Sequence, residues 1–302
     1  MSRMGNSVTV RVPASTSNCG AGFDSLGLAL ALYNRVTLHP CEGTAARPAT
    51  PTDSRATEMV QDTAAAFFRA AHLSPAGFDF RIGGDVPAAR GLGSSVTVIA
   101  GVLAGLDALH GTKMTPHALV SIATALEGHP DNASAGILGG FTVSRCDPVT
   151  GAYVDSVRVN IPPSLSFVVA SPQIELLTKE SRGALPATLP YFDAVKSINS
   201  AAYLAAVLAT GEFEKLAHAV GDYMHEPYRL PKIRGGRAAI DGGISAGALT
   251  GWLSGSGSSV LCVCRRENSD TVASAMSSVF RGEGIGCDTR ILQADNDGLR
   301  VE

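Results

Sequence analysis

Charge is scarce in this sequence. Only 17% of its 302 residues are Asp, Glu, Lys or Arg, and the 24 basic residues against 27 acidic ones form no long run of either sign. Nucleic acid and anionic membrane surfaces are bound through concentrated basic fields, so the partner expected here is a small molecule. Paired cysteines are also missing: Cys19, Cys41, Cys146, Cys262, Cys264 and Cys287 are scattered with no C-x-x-C. That spacing excludes a zinc ribbon and a disulfide framework, and it suits buried thiols in a reducing compartment. The longest apolar stretch, Val96 to Leu106, is far short of a membrane span, and the N-terminal MSRMGNSVTVRV lacks an apolar signal core. A cytoplasmic protein is expected.

A 45% hydrophobic content is enough for one large core or two ordinary ones. Val8, Val10 and Val12 alternate with polar residues as in a half-buried opening strand, and a second strand is read at Val36 to His39. Residues 42–55, rich in Pro, Ala and Thr, read as a surface loop. Helical spacing follows from Met59 to Ala71, then a strand, Asp79 to Gly84. Thr115-Pro116 opens a helix through about Glu127, a small-residue segment follows GHPDN, and Gly139 to Arg145 is a strand. YVDSVRV and LSFVVAS are two more strands, broken by Pro162-Pro163, where the domain boundary is placed. Beyond it, Phe192 to Ala209 and Phe213 to Met224 read as amphipathic helices separated by Gly211, and SVLCVCR, Thr271 to Phe280 and DTRILQA close the chain as strand, helix and strand. Mixed runs in each half predict an α+β protein of two domains, 1–162 and 163–302, and no internal repeat is evident.

PAARGLGSS, residues 87–95, stands directly before the apolar run that begins at Val96. Gly91 and Gly93 allow positive φ and close approach, and Ser94 and Ser95 sit where a helix start leaves unpaired N–H groups and the positive end of its dipole. Those properties suit a phosphate cradle; they also suit a tight turn with a serine cap. The chain contains no GxxxxGK[ST], and GxGxxG fails because Val96 stands at the third glycine position, which removes the P-loop and Rossmann readings. A second cluster, LSGSGSS (Leu253 to Ser259), precedes a strand and reads either as a hydroxyl-rich turn or as a second ligand loop.

Three separated stretches, VPASTSNCGAGFDSLGLAL (Val12 to Leu30), PAARGLGSS and LSGSGSS, together resemble the GHMP small-molecule kinases. NCGAGFDSLG, EGHPDN followed by LGG, LLTKESRGALP and HEPYR (His225 to Arg229) resemble the homoserine kinases within that superfamily, in the family's order and over nearly the whole chain. The resemblance implies a two-domain GHMP kinase fold, with an N-terminal domain like ribosomal protein S5 domain 2, a ferredoxin-like C-terminal domain and the active site between them. It implies transfer of the ATP γ-phosphoryl group to the hydroxyl of L-homoserine for threonine synthesis, with Mg2+, and a homodimer.

Carried over position by position, the resemblance assigns Pro87, Ala88, Ala89 and Arg90, then Gly91, Leu92, Gly93, Ser94 and Ser95, to the loop that wraps the ATP phosphates. Ser95 and Glu127 are the candidate Mg2+ ligands, as a hydroxyl and a carboxylate. Asn18, Asp24, Asp131 and Asn132 match substrate-contacting positions; Thr178, Arg182 and Arg229 match those that recognise the carboxylate end, and Gly257 belongs to the third loop beside the substrate. Asn132, Glu127 and Arg182 are the expected catalytic set. Asn132 can orient a hydroxyl but cannot take its proton outright, so catalysis by positioning and electrostatics is expected.

Two departures from the family pattern stand out. The third motif reads Gly255-Ser256-Gly257-Ser258 where the family usually has GAGP, which removes a stiffening proline. In ATEMVQD, Thr57 or Glu58 takes the place of an asparagine near the adenine, which leaves the base preference open. Three rival readings remain: GISAG (Gly243 to Gly247) as a hydrolase elbow, which needs a strand before the serine and a helix after it; a GHMP-fold protein that binds without turnover; and a kinase for another small hydroxylated acid. His129, His218 and His225 have no evident aspartate partner in the sequence, so they read as structural.

Overall fold

The computed structural model describes residues 7–174, 181–219 and 221–302. Two sheets and their helices make the fold. The first sheet is assembled from β1 (Val8–Ser17), β2 (Leu26–Pro40), β3 (Ala46–Pro48), β4 (Phe78–Gly84), β5 (Phe141–Cys146) and β6 (Tyr153–Val159). The second contains β7 (Leu165–Pro172), β8 (Ala248–Leu253), β9 (Val260–Arg265) and β10 (Cys287–Leu292), in the order β10-β7-β9-β8, all antiparallel. The last strand, β11 (Arg300–Val301), pairs with β1, and Ala294 bridges Leu30, so the chain's end returns to the first sheet. The sequence reading assigns 163–302 to the second domain, yet β11 within that range pairs with the first sheet.

Among the described residues the α-helices are α1 (Ser54–Ala70), α2 (Ser94–His110), α3 (Pro116–Glu127), α4 (Asp131–Leu138), α5 (Tyr191–Thr210), the single turn α6 (Glu226–Arg229), α7 (Gly236–Ser245) and α8 (Ser269–Gly282). Helix α2 is buried at every position from Val96 to Leu106, as a helix enclosed on all sides must be. It lies close on β2 because Gly101 and Gly105 face that strand. A Cβ at Gly101 would stand 2.5 Å from Val36 Cγ2, and one at Gly105 2.7 Å from Leu38 Cδ1. This close approach fixes where the N-terminus of α2 points.

Strand β2 serves two cores. Val36 and Leu38 pack with Val10, Val12, Phe67, Phe80 and Leu103 beneath the helices, whereas Leu26, Leu28 and Leu30 pack with Phe141 and with Phe167, Val169, Leu261 and Val263 of the second sheet. The change coincides with a register shift between Pro13 and Ala14, where Ala31 and Leu32 are extra on β2. On β7 and β9 the period of two divides the chain between layers: Val168, Ala170, Val260, Cys262 and Cys264 face α7 and α8. Both faces of β7 are thus covered, and all eight of its residues are buried. The sheet-on-sheet core of the second cluster joins the two halves.

Four elements differ from the sequence reading. Strand β2 begins ten residues earlier than Val36, at Leu26. The 42–55 stretch contains β3, which pairs in parallel with β4, and the first residues of α1. The small-residue segment after GHPDN is helix α4, whose Ala133, Ser134, Ala135 and Gly136 are buried against the sheet. Phe213 to Met224 is not a helix: a 3-10 turn spans Phe213–His218, and Gly221 at φ 99° breaks a right-handed path. The carboxylate of Asp222 then accepts the N–H groups of Met224, His225 and Glu226, which starts α6. Ser245 of GISAG ends a helix and precedes β8, the reverse of a nucleophile elbow. No helix among the described residues is long and apolar enough to cross a membrane.

Glu226 ties α6 to the second sheet, its Oε1 accepting the N–H of Leu253 at 2.7 Å. Burial raises its carboxyl to about 7, with the Leu253 bond opposing the shift. A folded-state value above the unfolded one means that this group's stability is complete below the unfolded pKa and is lost as pH rises through the folded one. Urea midpoints should therefore show wild type losing about 2 to 3 kcal/mol relative to Glu226→Gln between pH 5 and pH 8. An equal pH dependence in both proteins would contradict this.

Candidate active site

Three loops meet at the end of β1. After Ser17 the chain turns through Asn18 at φ 66° and Cys19 at φ 45°, and Asp24 at φ 54° precedes β2. Asn18 steadies this turn: its Oδ1 accepts the Asp24 N–H at 3.0 Å, and its Nδ2 donates to the Gly255 carbonyl at 3.0 Å. The glycine loop at 87–95 and the loop at 254–259 are tied directly. Ser254 Oγ donates to the Gly91 carbonyl at 2.7 Å, the Ser259 N–H to the Arg90 carbonyl at 3.2 Å, and the Gly255 N–H to the Ser17 carbonyl at 3.2 Å. Two serines of this loop are themselves anchored: Ser258 Oγ, at the position of the family's proline, donates to the Ile174 carbonyl, and Ser259 Oγ bonds Ser171 Oγ.

Between these loops lies a cavity of 320 Å³. At one end α2 begins without a side-chain cap, its Ncap Gly93 at φ 67°, so that Ser94 and Ser95 present the helix start to the cavity. Gly93 has no room for a side chain, since a Cβ would stand 2.2 Å from Ser15 Oγ; at Gly91 one would stand 2.1 Å from the Ser254 carbonyl oxygen. Ala88, Ala89, Arg90, Gly91, Gly93, Ser94 and Ser95 line the cavity. Pro87 does not line it, and Leu92 turns its side chain into the hydrophobic core while its carbonyl accepts the Ser15 N–H at 3.1 Å. Asp53, Arg55, Ala56 and Met59 close the neighbouring wall; Thr57 and Glu58 are not part of it.

Ser95 Oγ and Glu127 Oε2 are 3.1 Å apart. Burial raises the Glu127 carboxyl, and the nearby His129 and the Ser95 hydroxyl oppose that rise. Both residues line the cavity near the start of α2, and their oxygens are hard donors of the kind Mg2+ takes.

Beside the same helix start, α4 begins with Asp131 and Asn132, and Asn132 Oδ1 would stand 3.2 Å from a Cβ at Gly93. The Asn132 amide is fixed from both sides, Oδ1 accepting from Ser15 Oγ at 2.8 Å and Nδ2 donating to Ser17 Oγ at 3.0 Å. Asp131, 1% exposed, accepts the Asn132 N–H and bonds His129 Nδ1, both at 2.7 Å. For His129, burial opposes protonation, but the bond and charge of Asp131, with Asp24 and Glu127 adding, outweigh it and raise the pKa. Oxygen or nitrogen atoms of Asp24, His129 and Asp131 lie within 4.8 Å of one another. Asp24 also holds Arg182 through two bonds, of 2.9 and 2.8 Å.

Arg229 is placed differently. It is only 3% exposed, its Nε donates to the Ser181 carbonyl at 3.3 Å and its Nη1 to the Gly255 carbonyl at 3.4 Å, and among the described residues no carboxylate pairs with it. Burial, and then the charge of Arg182, lower its pKa. A buried cation held only by neutral carbonyls leaves room for an incoming anion.

Of the residues singled out in the sequence, Asn18, Asp24, Glu127, Asp131, Asn132, Arg182 and Arg229 all face this one cavity. Gly257 does not line it, its neighbours Gly255 and Ser256 do, and Thr178 lies outside the described residues. Sequence reasoning missed the Asp131 partner of His129, two positions away in EGHPDN, and the 3.6 Å approach of Asp222 to His225. It also missed Ser15, Ser17 and Phe23, which lie inside a motif already quoted.

The chain is similar to known proteins along its whole length. The GHMP kinases N terminal domain matches residues 58–140 and the GHMP kinases C terminal domain matches residues 203–282. A homoserine kinase of Moorella thermoacetica is 39% identical, the match covering 97% of this chain and 99% of the relative. One of Prochlorococcus marinus is 34% identical over 98% of this chain and 95% of its own. The crystal structure of homoserine kinase from Cytophaga hutchinsonii superposes with a TM-score of 0.88 at 25% identity, covering 100% of this chain and 99% of that one. With both domains in order and the likeness running the length of the molecule, the chain belongs to the homoserine kinase family of the GHMP kinases.

Proposed function

We propose that the protein transfers the terminal phosphoryl group of ATP to the side-chain hydroxyl of L-homoserine, giving O-phospho-L-homoserine. The observation that carries this reading is a single cavity lined by an uncapped, glycine-led helix start and by a buried guanidinium that no carboxylate among the described residues pairs with. The helix start suits the phosphates. Arg229 suits the acceptor's carboxylate, and the acidic pair Asp24 and Asp131 suits its ammonium.

Phosphoryl transfer asks the protein chiefly to align donor and acceptor and to offset charge. Ser94 and Ser95 orient phosphate oxygens with their N–H and hydroxyl groups. Ser95 and Glu127 are the pair that would hold Mg2+, which when bound neutralises charge on the phosphates. Asn132 orients the acceptor hydroxyl, its amide kept in one rotamer by Ser15 and Ser17. Asp131 is a poor candidate for a general base, because one of its carboxylate oxygens already serves both His129 and the Asn132 N–H. The proton then leaves through phosphate or water. Two copies of the chain are expected to associate, by the resemblance alone.

Coupled ADP release with homoserine, threonine, shikimate and mevalonate tests the substrate. Turnover of homoserine above the others is expected; turnover of mevalonate alone would refute the acceptor, and turnover of none would favour a binding protein. Gly93→Ala puts a Cβ against Ser15 Oγ in a backbone conformation that alanine avoids, and should lower kcat/KM about 100-fold with the fold retained by circular dichroism. Arg229→Lys keeps the charge but loses the planar fork, and should raise the homoserine KM about 30- to 100-fold with the ATP KM within about twofold. An equal rise in both constants would count against the assignment of Arg229 to the acceptor.

A further inference from the structure

Phe23 lines the cavity on the turn that carries Asp24, and two cations share its ring. The Arg182 guanidinium lies 5.3 Å from the ring centroid and that of Arg229 5.2 Å. The ring is itself stacked on buried His225, with centroids 5.4 Å apart and planes inclined by 29°. His225 is held in turn, its Nε2 2.7 Å from the Gly20 carbonyl. A buried histidine, an aromatic ring and two guanidiniums therefore form one assembly that reaches from the second domain's α6 to the turn after β1.

Two guanidinium groups so close together repel. Asp24 offsets the charge of Arg182, but among the described residues Arg229 has only neutral carbonyl partners. A carboxylate in place of Phe23 would remove the repulsion and would also occupy the N–H donors that an incoming anion needs. The electron-rich face of an aromatic ring attracts both cations without using any N–H donor.

We propose that Phe23 is a positioning residue for the acceptor's carboxylate: its ring holds Arg182 and Arg229 together without occupying the N–H donors of Arg229, which no carboxylate among the described residues takes. The inference rests on the reading that Arg229 takes the acceptor's carboxylate. It adds a residue whose contribution is electrostatic although its side chain carries no charge.

The test compares Phe23→Leu, Phe23→Trp, Arg229→Lys and a protein carrying pentafluorophenylalanine at position 23, which keeps the ring's shape and reverses its quadrupole. KM and kcat are measured for ATP, for L-homoserine and for 3-amino-1-propanol, which is homoserine without its carboxylate. Phe23→Leu and the fluorinated protein should each raise the homoserine KM about tenfold, leave the ATP KM within about twofold, and leave kcat/KM for the aminoalcohol unchanged; Phe23→Trp should stay within about threefold of wild type. An unchanged homoserine KM in the fluorinated protein, or equal losses on both acceptors, would overturn the proposal, and the fluorinated protein decides the matter if Phe23→Leu fails to fold. If Arg229→Lys also leaves the homoserine KM unchanged, the reading of Arg229 fails; if Arg229→Lys raises it and the fluorinated protein does not, only the role of Phe23 fails.

Discussion

The hydrogen bonds from Ser254 and Ser259 to the carbonyls of Gly91 and Arg90 join the two glycine-bearing loops, and the functional cavity depends on that junction. One loop leads into α2 of the first domain, the other links β8 and β9 of the second. Backbone carbonyls turned away from a secondary-structure ladder need partners, and here each loop supplies them to the other. The same junction sets the distance between the start of α2, which suits phosphate, and Arg229, which donates to the neighbouring Gly255 carbonyl. Phosphoryl transfer is sensitive to that distance, because most of what the protein contributes is alignment.

Behind the junction the two sheets share a core. Leu26, Leu28 and Phe141 from one sheet pack with Phe167, Leu261 and Val263 from the other, which fixes the domains to each other by apolar burial. The loops then need only modest polar bonds to keep their register. The serine-rich third loop illustrates the trade. Where the family pattern has a stiffening proline in this loop, here Ser254, Ser258 and Ser259 fasten it by hydrogen bonds to two separate segments, the glycine loop and residues 171–174. Two physical means, a restricted φ and a set of hydroxyl anchors, reach one end.

The charged groups are arranged so that opposite demands do not cancel. Asp24 pairs with Arg182 and Asp131 with His129, and among the described residues no carboxylate pairs with the buried Arg229. Burial of that charge is unfavourable in the empty protein. An anionic ligand would relieve that penalty by pairing with the guanidinium.

Much of this was legible in the residues. Glycine at 91 and 93, serine at 94 and 95, and the segments EGHPDN and HEPYR carry requirements that few other side chains meet, and all four regions reach the cavity. The alternation of β7 and β9 and the apolar run of α2 likewise follow from spacing, since the periods of strand and helix are properties of the backbone. Other features needed the folded chain. The small residues of α4 carry too little apolar pattern to announce a helix, and they become one because a close-packed position beside the sheet accepts only small side chains. Phe213 to Met224 has helical spacing yet is broken at Gly221, whose φ of 99° the sequence alone does not impose. The sequence by itself determined which chemical groups were available and the local geometry that glycine, serine and the apolar periods demand. Only the tertiary structure decided which charges would be neutralised, that Phe23 would lie beside two of them, and that β11 would return to the first sheet, because each depends on contacts between residues far apart along the chain.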